Sequence, residues 1–335
     1  MSGRNAYSIH DIISVRSNTA LPVPDRFRLD PSSVSSPEIV VEKGSINADI
    51  DRQEMTRSGM FYFGTVDDAL VIDYMLPMVD VTLLIKDLGE KTIIRYTPSY
   101  ERFGSVGLLF NTILQFKLIQ QDHVLVHAGC VGTDAAGTLV AGMRNTGKTS
   151  TILSLVDAET KFLSDDLTIL GRDGTAYCYP TPVEISPFTL TGEVLTYTGS
   201  VVQQWVARQQ ILSLLIQEFI GYELSEKKQI PDKYITERTR ITKVGILGEN
   251  GPREATDIPT EAATNRLLMS TAELLDPFRI YSLNFFSFYL DYSTADLFTR
   301  GQNIIGDAIE EADCYELHAE SVDGYPLLLT NNYID

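Results

Sequence analysis

The chain has 335 residues, 45 of them acidic and 27 basic, for a formal net charge of −18, with 44% hydrophobic residues. That length permits one large or two medium domains with a substantial core, and the acidic balance argues against nucleic acid or an anionic membrane as partner, since phosphate repels such a surface. Charge interrupts each long apolar run, as Asp73 and Asp80 interrupt Ala69 to Ile85, and residues 1–14 lack a secretory pattern, so the expectation is a cytoplasmic protein that does not enter a membrane.

In chain order, residues 1–38 carry Pro22, Pro24, Pro31 and Pro37 among Ser and Asn and read as an irregular lead-in. Residues 39–120 read as a small β-rich domain. Within it, Val79 to Ile85 and Thr92 to Tyr96 flank a turn at Gly89-Glu90 as a hairpin, and Ser105 to Gln121 forms a connecting helix with Leu108, Leu109, Ile113, Leu114 and Phe116 on a broad apolar face. From 121 to 335 the pattern is α/β. Strands are expected at His123–His127, Thr138–Ala141, Lys161–Ser164, Val244–Leu247, Cys314–His318 and Pro326–Leu329. Helices are expected at Lys148–Val156, Gln203–Phe219, Glu261–Leu275 and Ala295–Ala312. Cys130, Cys178 and Cys314 are odd in number and widely spaced, which predicts reduced thiols rather than a disulfide framework or a zinc site.

The segment Gly142-Met143-Arg144-Asn145-Thr146-Gly147-Lys148-Thr149 fits G-x-x-x-x-G-K-[ST] between an apolar strand and a helix that continues through Ser150. A loop that wraps polyphosphate must aim consecutive backbone N–H groups at one anion, at the positive end of the following helix. Lys148 then reaches the β- and γ-phosphates, and the Thr149 hydroxyl ligates Mg²⁺. Asn145 replaces a frequent central glycine and is the side chain that best tolerates positive φ.

Ser164-Asp165-Asp166 closes the strand that follows the loop's helix. Phosphoryl transfer uses carboxylates in such a place, one for the metal that bridges the phosphates and one to take the proton of an attacking hydroxyl. Neighbouring side chains on a strand point to opposite faces, so both serve one site only if the backbone turns here. The sequence by itself does not divide the two duties. His127 ends the preceding strand, where an imidazole serves either as a hydrogen-bonding tie or as a catalytic group. Arg238 and Arg240 read as a solvated strand entry, and Trp205 as core.

This order of strand-end histidine, phosphate loop and double aspartate resembles the catalytic domain of the HPr kinase/phosphorylase family and its wider HPr-kinase-like group, which share a fold with phosphoenolpyruvate carboxykinase. The similarity covers about residues 123–187. It implies an HPr-kinase/phosphoenolpyruvate-carboxykinase-like nucleotide domain with a mixed sheet. It further implies His127 beside the transferred phosphoryl group, Asp165 as the base that activates a serine hydroxyl, and Asp166 as the metal-binding carboxylate. The glycine-rich signature with Glu and Arg that bifunctional members carry after the aspartates is absent, and Tyr179 to Pro187 reads instead like the proline-punctuated segment of the divergent members. HPr as substrate, and phosphorolysis, are therefore not implied.

The function expected is an ATP- and Mg²⁺-dependent kinase acting on a hydroxyl-bearing acceptor, a protein, a peptide or a small molecule, with a serine favoured. The alternative is a non-catalytic nucleotide-binding switch. A carboxykinase-like reaction would need metal-binding His and Lys residues that the sequence does not offer. A homo-oligomeric state is left open.

Overall fold

A computed structural model describes residues 5–46, 51–143, 146–157, 159–185, 226–248, 251–273, 286–288, 290 and 293–330. The protein is mixed α/β, built on two mixed sheets of nine strands each. The chain forms two compact units, Met1–His123 with Leu275–Gly301, and Val124–Leu274 with Gln302–Asp335. Among the described residues no helix is long and apolar enough to cross a membrane.

The first unit holds β1 (Asn5–Ile9), β2 (Ile13–Ser17), β3 (Arg28–Leu29), β4 (Ile39–Lys43), β5 (Thr56–Ser58), β6 (Phe61–Val66), β7 (Ala69–Tyr74), β8 (Thr82–Lys86) and β9 (Thr92–Tyr96). Their order is β3-β1-β2-β4-β9-β8-β7-β6-β5. Only β2–β4 and β4–β9 pair in parallel. The stretch 1–38 is thus not an irregular lead-in, because β1 to β3 build one side of the sheet. The prolines that suggested irregularity lie in the connections, and β1 and β2 are joined by a tight turn with His10 at φ 52 and Asp11 at φ 57. Alternation decides the faces: Ile13, Val15, Ile39, Val41, Leu83, Ile85, Ile94 and Tyr96 are almost wholly buried.

After α1 (Tyr100–Phe103), α2 runs from Val106 to Gln120, close to expectation, and the Ser105 hydroxyl caps it by accepting from the Leu108 N–H at 3.2 Å. Lys117 is buried on α2, and its ammonium donates to the carbonyls of Leu88, Gly89 and Glu90 at 3.2, 2.7 and 3.0 Å, in the β8–β9 turn. Phe286 joins this unit by an edge contact with Phe116 at 5.5 Å, so part of the stretch expected to belong to the nucleotide domain packs here instead.

The second unit contains β10 (His123–Val126), β11 (Gly129–Gly132), β12 (Gly137–Gly142), α3 (Lys148–Leu155), β13 (Lys161–Ser164), β14 (Thr168–Gly171), β15 (Thr175–Tyr177) and the small pair β16 (Val183–Ile185) and β17 (Glu226–Lys228). There follow β18 (Arg238–Leu247), β19 (Glu254–Asp257), α4 (Thr260–Glu273), α5 (Thr294–Ala308), whose residues up to Gly301 belong to the first unit, β20 (Asp313–His318) and α6 (Gly324–Thr330). The second sheet has the order β10-β14-β15-β18-β12-β11-β13, with β20 between β18 and β19. Pairing is parallel for β12–β18 and β18–β20, and antiparallel for β11 with both β12 and β13. The C-terminal ends of β12, β13, β18 and β20 therefore lie along one edge, together with the start of β11.

Val140, Leu247 and Leu317 pack with Ile152, Leu153 and Leu155 of α3 and with Tyr325, Leu328 and Leu329 of α6. Pro326–Leu329 is helical rather than the expected strand. Its Tyr325, Leu328 and Leu329 fall on one helical face that the core buries, and Pro326, early in the helix, costs little there. The α4 helix lies against the opposite face, since Arg266 pairs at 2.9 Å with Glu316, the neighbour of Leu317 on β20. Arg240 meets Glu311 at 2.7 Å with both side chains largely exposed, a solvated strand entry as expected. All three cysteines are buried and form no disulfide. Gln203–Phe219, with Trp205, lies outside the described residues.

Candidate active site

Four segments meet at that sheet edge. The first is the loop after β12. Gly147, at φ +95, is the last residue before α3, and a side chain there would be strained and would strike Val322 at 2.7 Å. Thr146 donates its hydroxyl to the Met143 carbonyl at 2.8 Å, and Thr151 donates its own to the Gly147 carbonyl at 2.9 Å. Met143 is exposed, and Ser150 is buried in the first turn of α3. Arg144 and Asn145 lie outside the described residues. Lys148 is 8% exposed and folds back over the loop, where its ammonium donates to the Gly142 carbonyl at 2.8 Å and lies 2.9 Å from His127 Nε2.

The second segment is the turn after β13. Ser164 and Thr168 hydrogen-bond through their hydroxyls, and Thr168 donates on to the Ala128 carbonyl at 2.7 Å. This clip folds the chain sharply between β13 and β14 and ties it to the residue beside His127, which supplies the turn that two adjacent aspartates require. The two then part. Asp165, 8% exposed, accepts from the Thr149 hydroxyl at 3.0 Å, and its second oxygen, Oδ1, is buried with no hydrogen-bond partner. Asp166 is 51% exposed and reaches His127 Nε2 at 2.8 Å. Burial pushes the Asp165 carboxyl up to about 7; the nearby Asp166 charge adds to this, while Thr149, Lys148 and His127 oppose it.

His127 and α4 supply the third and fourth segments. The imidazole is buried, with Nδ1 at 2.9 Å from the Ser270 carbonyl; a carbonyl only accepts, so Nδ1 carries a proton. The Ser270 hydroxyl donates to the His127 carbonyl at 3.0 Å, and the His127 N–H donates to the Thr271 hydroxyl at 3.0 Å. Nε2 is then left to two neighbours. The neutral ring accepts there from Lys148, and the doubly protonated ring donates to Asp166. Ser270 and Thr271 have no signal in the sequence beyond the helix that carries them, because the contact joins residues 143 or 144 positions apart.

A hydroxyl and a carboxylate with an unused buried oxygen are hard donors of the kind Mg²⁺ takes. Among the described residues there is no group of three or more His, Cys, Asp or Glu side chains able to hold a metal. A magnesium carried in with a polyphosphate needs few protein ligands, since phosphate and water oxygens complete its shell. The structure thus brings Lys148, Thr149, His127, Asp165 and Asp166 together as the motif reading requires. It pairs the aspartates with partners in a way the sequence could not give. No protein-family model matches the chain, and comparison with curated proteins finds no match.

Proposed function

We propose that the protein is a nucleoside triphosphate-dependent phosphotransferase, with ATP as donor and a hydroxyl, such as a protein or peptide serine, as acceptor. The observation that carries this reading is the convergence of Lys148 and Thr149, at the start of α3, on a buried aspartate, an exposed aspartate and an imidazole at one sheet edge. A nucleotide carrier would need the loop and a metal carboxylate. The exposed Asp166 with its imidazole neighbour is what an acceptor would need in addition. The motif resemblance to HPr-kinase-like proteins points the same way.

The contacts favour a division of duties that exchanges the two aspartates relative to the one implied by that resemblance. Thr149 and Asp165 would hold Mg²⁺, which when bound neutralises charge on the β- and γ-phosphates. Lys148 and the loop amides bind and orient the phosphates. Asp166 faces solvent, where an acceptor hydroxyl arrives, and takes its proton, with His127 orienting the carboxylate through Nε2. The work asked of the protein is positioning and charge stabilisation.

The test has two steps. Lys148→Ala is expected to weaken Mg·ATP binding about ten- to hundredfold, from the loss of roughly 1.5–3 kcal/mol of charge-assisted hydrogen bonding, in a variant that remains folded. Incubation with γ-labelled ATP and pools of proteins, peptides and small alcohols should then give label in a phosphate ester. Unchanged ATP affinity in folded Lys148→Ala removes the nucleotide site. Tight binding with no transfer to any acceptor leaves the nucleotide switch.

A further inference from the structure

We infer that the nucleoside of the bound triphosphate lies on the far side of the loop from the aspartates, against the imidazole of His318 where it stands over Gly248, beside the turn at Val322. This rests on reading Gly142–Thr149 as a phosphate loop. Strand order gives the direction. From β12, one side leads through β11 to β13, and there His127, Asp165 and Asp166 mark the terminal phosphate and the acceptor. The other side leads through β18 to β20. A triphosphate with its reacting end at the aspartates must carry its nucleoside the other way. Two strand spacings, roughly 10 Å, separate β12 from β20, a span that an extended nucleotide covers.

What stands there is built and continuous with the loop. Leu247 lies against Gly142, with 3.0 Å between its Cβ and the position a Cβ on that glycine would take. The next residue, Gly248, donates its N–H to the Leu317 carbonyl at 2.8 Å, so the ends of β18 and β20 remain joined. A Cβ on Gly248 would sit 2.6 Å from His318 Cε1; the glycine is what lets the ring occupy this place. On its own strand His318 has Nε2 3.6 Å from Glu316 Oε1, and Glu316 pairs with Arg266 at 2.9 Å. One third of the His318 side chain is exposed. The turn that follows leans on the loop through Val322 and Gly147, and Tyr325 donates its hydroxyl to the Gly248 carbonyl at 3.2 Å.

A partly exposed aromatic ring beside a phosphate loop offers a π-face on which a base stacks, and every nucleobase has a face to offer in return. Glu316 adds an acceptor for a ribose or base donor. Inorganic tripolyphosphate has none of these groups and engages the loop alone, which separates the two halves of the ligand.

The experiment measures by calorimetry the affinity of the full chain for Mg·ATP and for Mg·tripolyphosphate, in wild type, His318→Ala and His318→Phe. Expected are a roughly ten- to hundredfold weaker affinity of His318→Ala for ATP, no change for tripolyphosphate, and near-wild-type ATP binding by His318→Phe. If His318→Ala does not fold, His318→Leu, which keeps bulk without an aromatic face, carries the same expectation. Equal weakening for both ligands, no weakening for either, or wild-type protein binding both ligands equally well overturns the nucleoside assignment alone. A wild-type chain that binds neither ligand overturns the phosphate-loop reading itself, and this inference with it.

Discussion

In the first sheet Arg95 meets Glu42 at 2.6 Å, Lys43 meets Glu101 at 2.7 Å and buried Lys117 donates to three carbonyls. At the edge of the second sheet, Lys148 and Asp166 converge on a single imidazole nitrogen, and Asp165 keeps a buried oxygen with no partner. In the first region each of these cations is matched by acceptors within its own unit, which fixes geometry and asks for nothing more. In the second, two charged groups share one imidazole nitrogen and a carboxylate keeps a buried oxygen without a partner, as happens where further charge arrives with a ligand; buried oxygens without a partner also occur in the first unit, as at Thr92 and Asn111, but on side chains that carry no charge. The difference locates the chemistry better than charge density does, since both regions are rich in ionisable groups.

The sharpest way to break that contrast is at the aspartates. Asp166→Asn should slow transfer roughly 10²- to 10⁴-fold with Mg·ATP affinity kept, whereas Asp165→Asn should weaken metal-dependent binding first. Titration of both variants with Mg²⁺ and ATP, alongside single-turnover rates, checks this. Equal losses of binding would mean that the two carboxylates form one site without a division of duty.

A pH series sharpens the comparison. The Asp165 carboxyl is held up to about 7 in the folded chain, above its ordinary value of 3.8, so between these values the folded state keeps a proton that the unfolded state releases. Its contribution to stability is complete below about pH 4 and is lost as pH rises through 7, in total on the order of 4 kcal/mol. Melting temperatures measured without nucleotide or metal should include a decline over that window that Asp165→Asn abolishes. A decline of equal size in the variant would assign it elsewhere.

In the matched region the expected effects are on stability alone. Lys117→Met leaves three carbonyls without their donor and should cost about 2–3 kcal/mol, read from denaturant unfolding, with transfer per folded molecule unchanged. Arg95→Ala removes a half-exposed ion pair and should cost under about 1 kcal/mol, with no effect on nucleotide binding. A substantial loss of activity in either would erase the distinction between the two sheets.

The sequence made some of this legible for identifiable reasons. The phosphate loop is one continuous octapeptide, so its strand, turn and helix could be read in place, and α2 and β13 follow from periodicity and from dense apolar runs. The pairing of Asp165 with Thr149 and of Asp166 with His127 depends on a hydroxyl clip between Ser164 and Thr168 that no local pattern announces. Ser270 and Thr271 reach His127 across most of the second unit, beyond any spacing rule. The β1 and β2 strands are short and stand beside a stretch punctuated by Pro22, Pro24, Pro31 and Pro37, which masks their alternation. Pro326–Leu329 is too short for its period to separate strand from helix; packing against α3 decided it.

Lys117 has a consequence for how the first sheet is assembled. The β8–β9 hairpin could slide by one residue at modest cost to its ladder, and every side chain would then change face. The buried ammonium reads three successive carbonyls at one point of the turn, Leu88, Gly89 and Glu90, and a slipped turn would present a different set at different angles. The helix thus works as a gauge: its ammonium finds all three acceptors only on the correctly aligned hairpin, and a misaligned one would leave a desolvated charge short of partners.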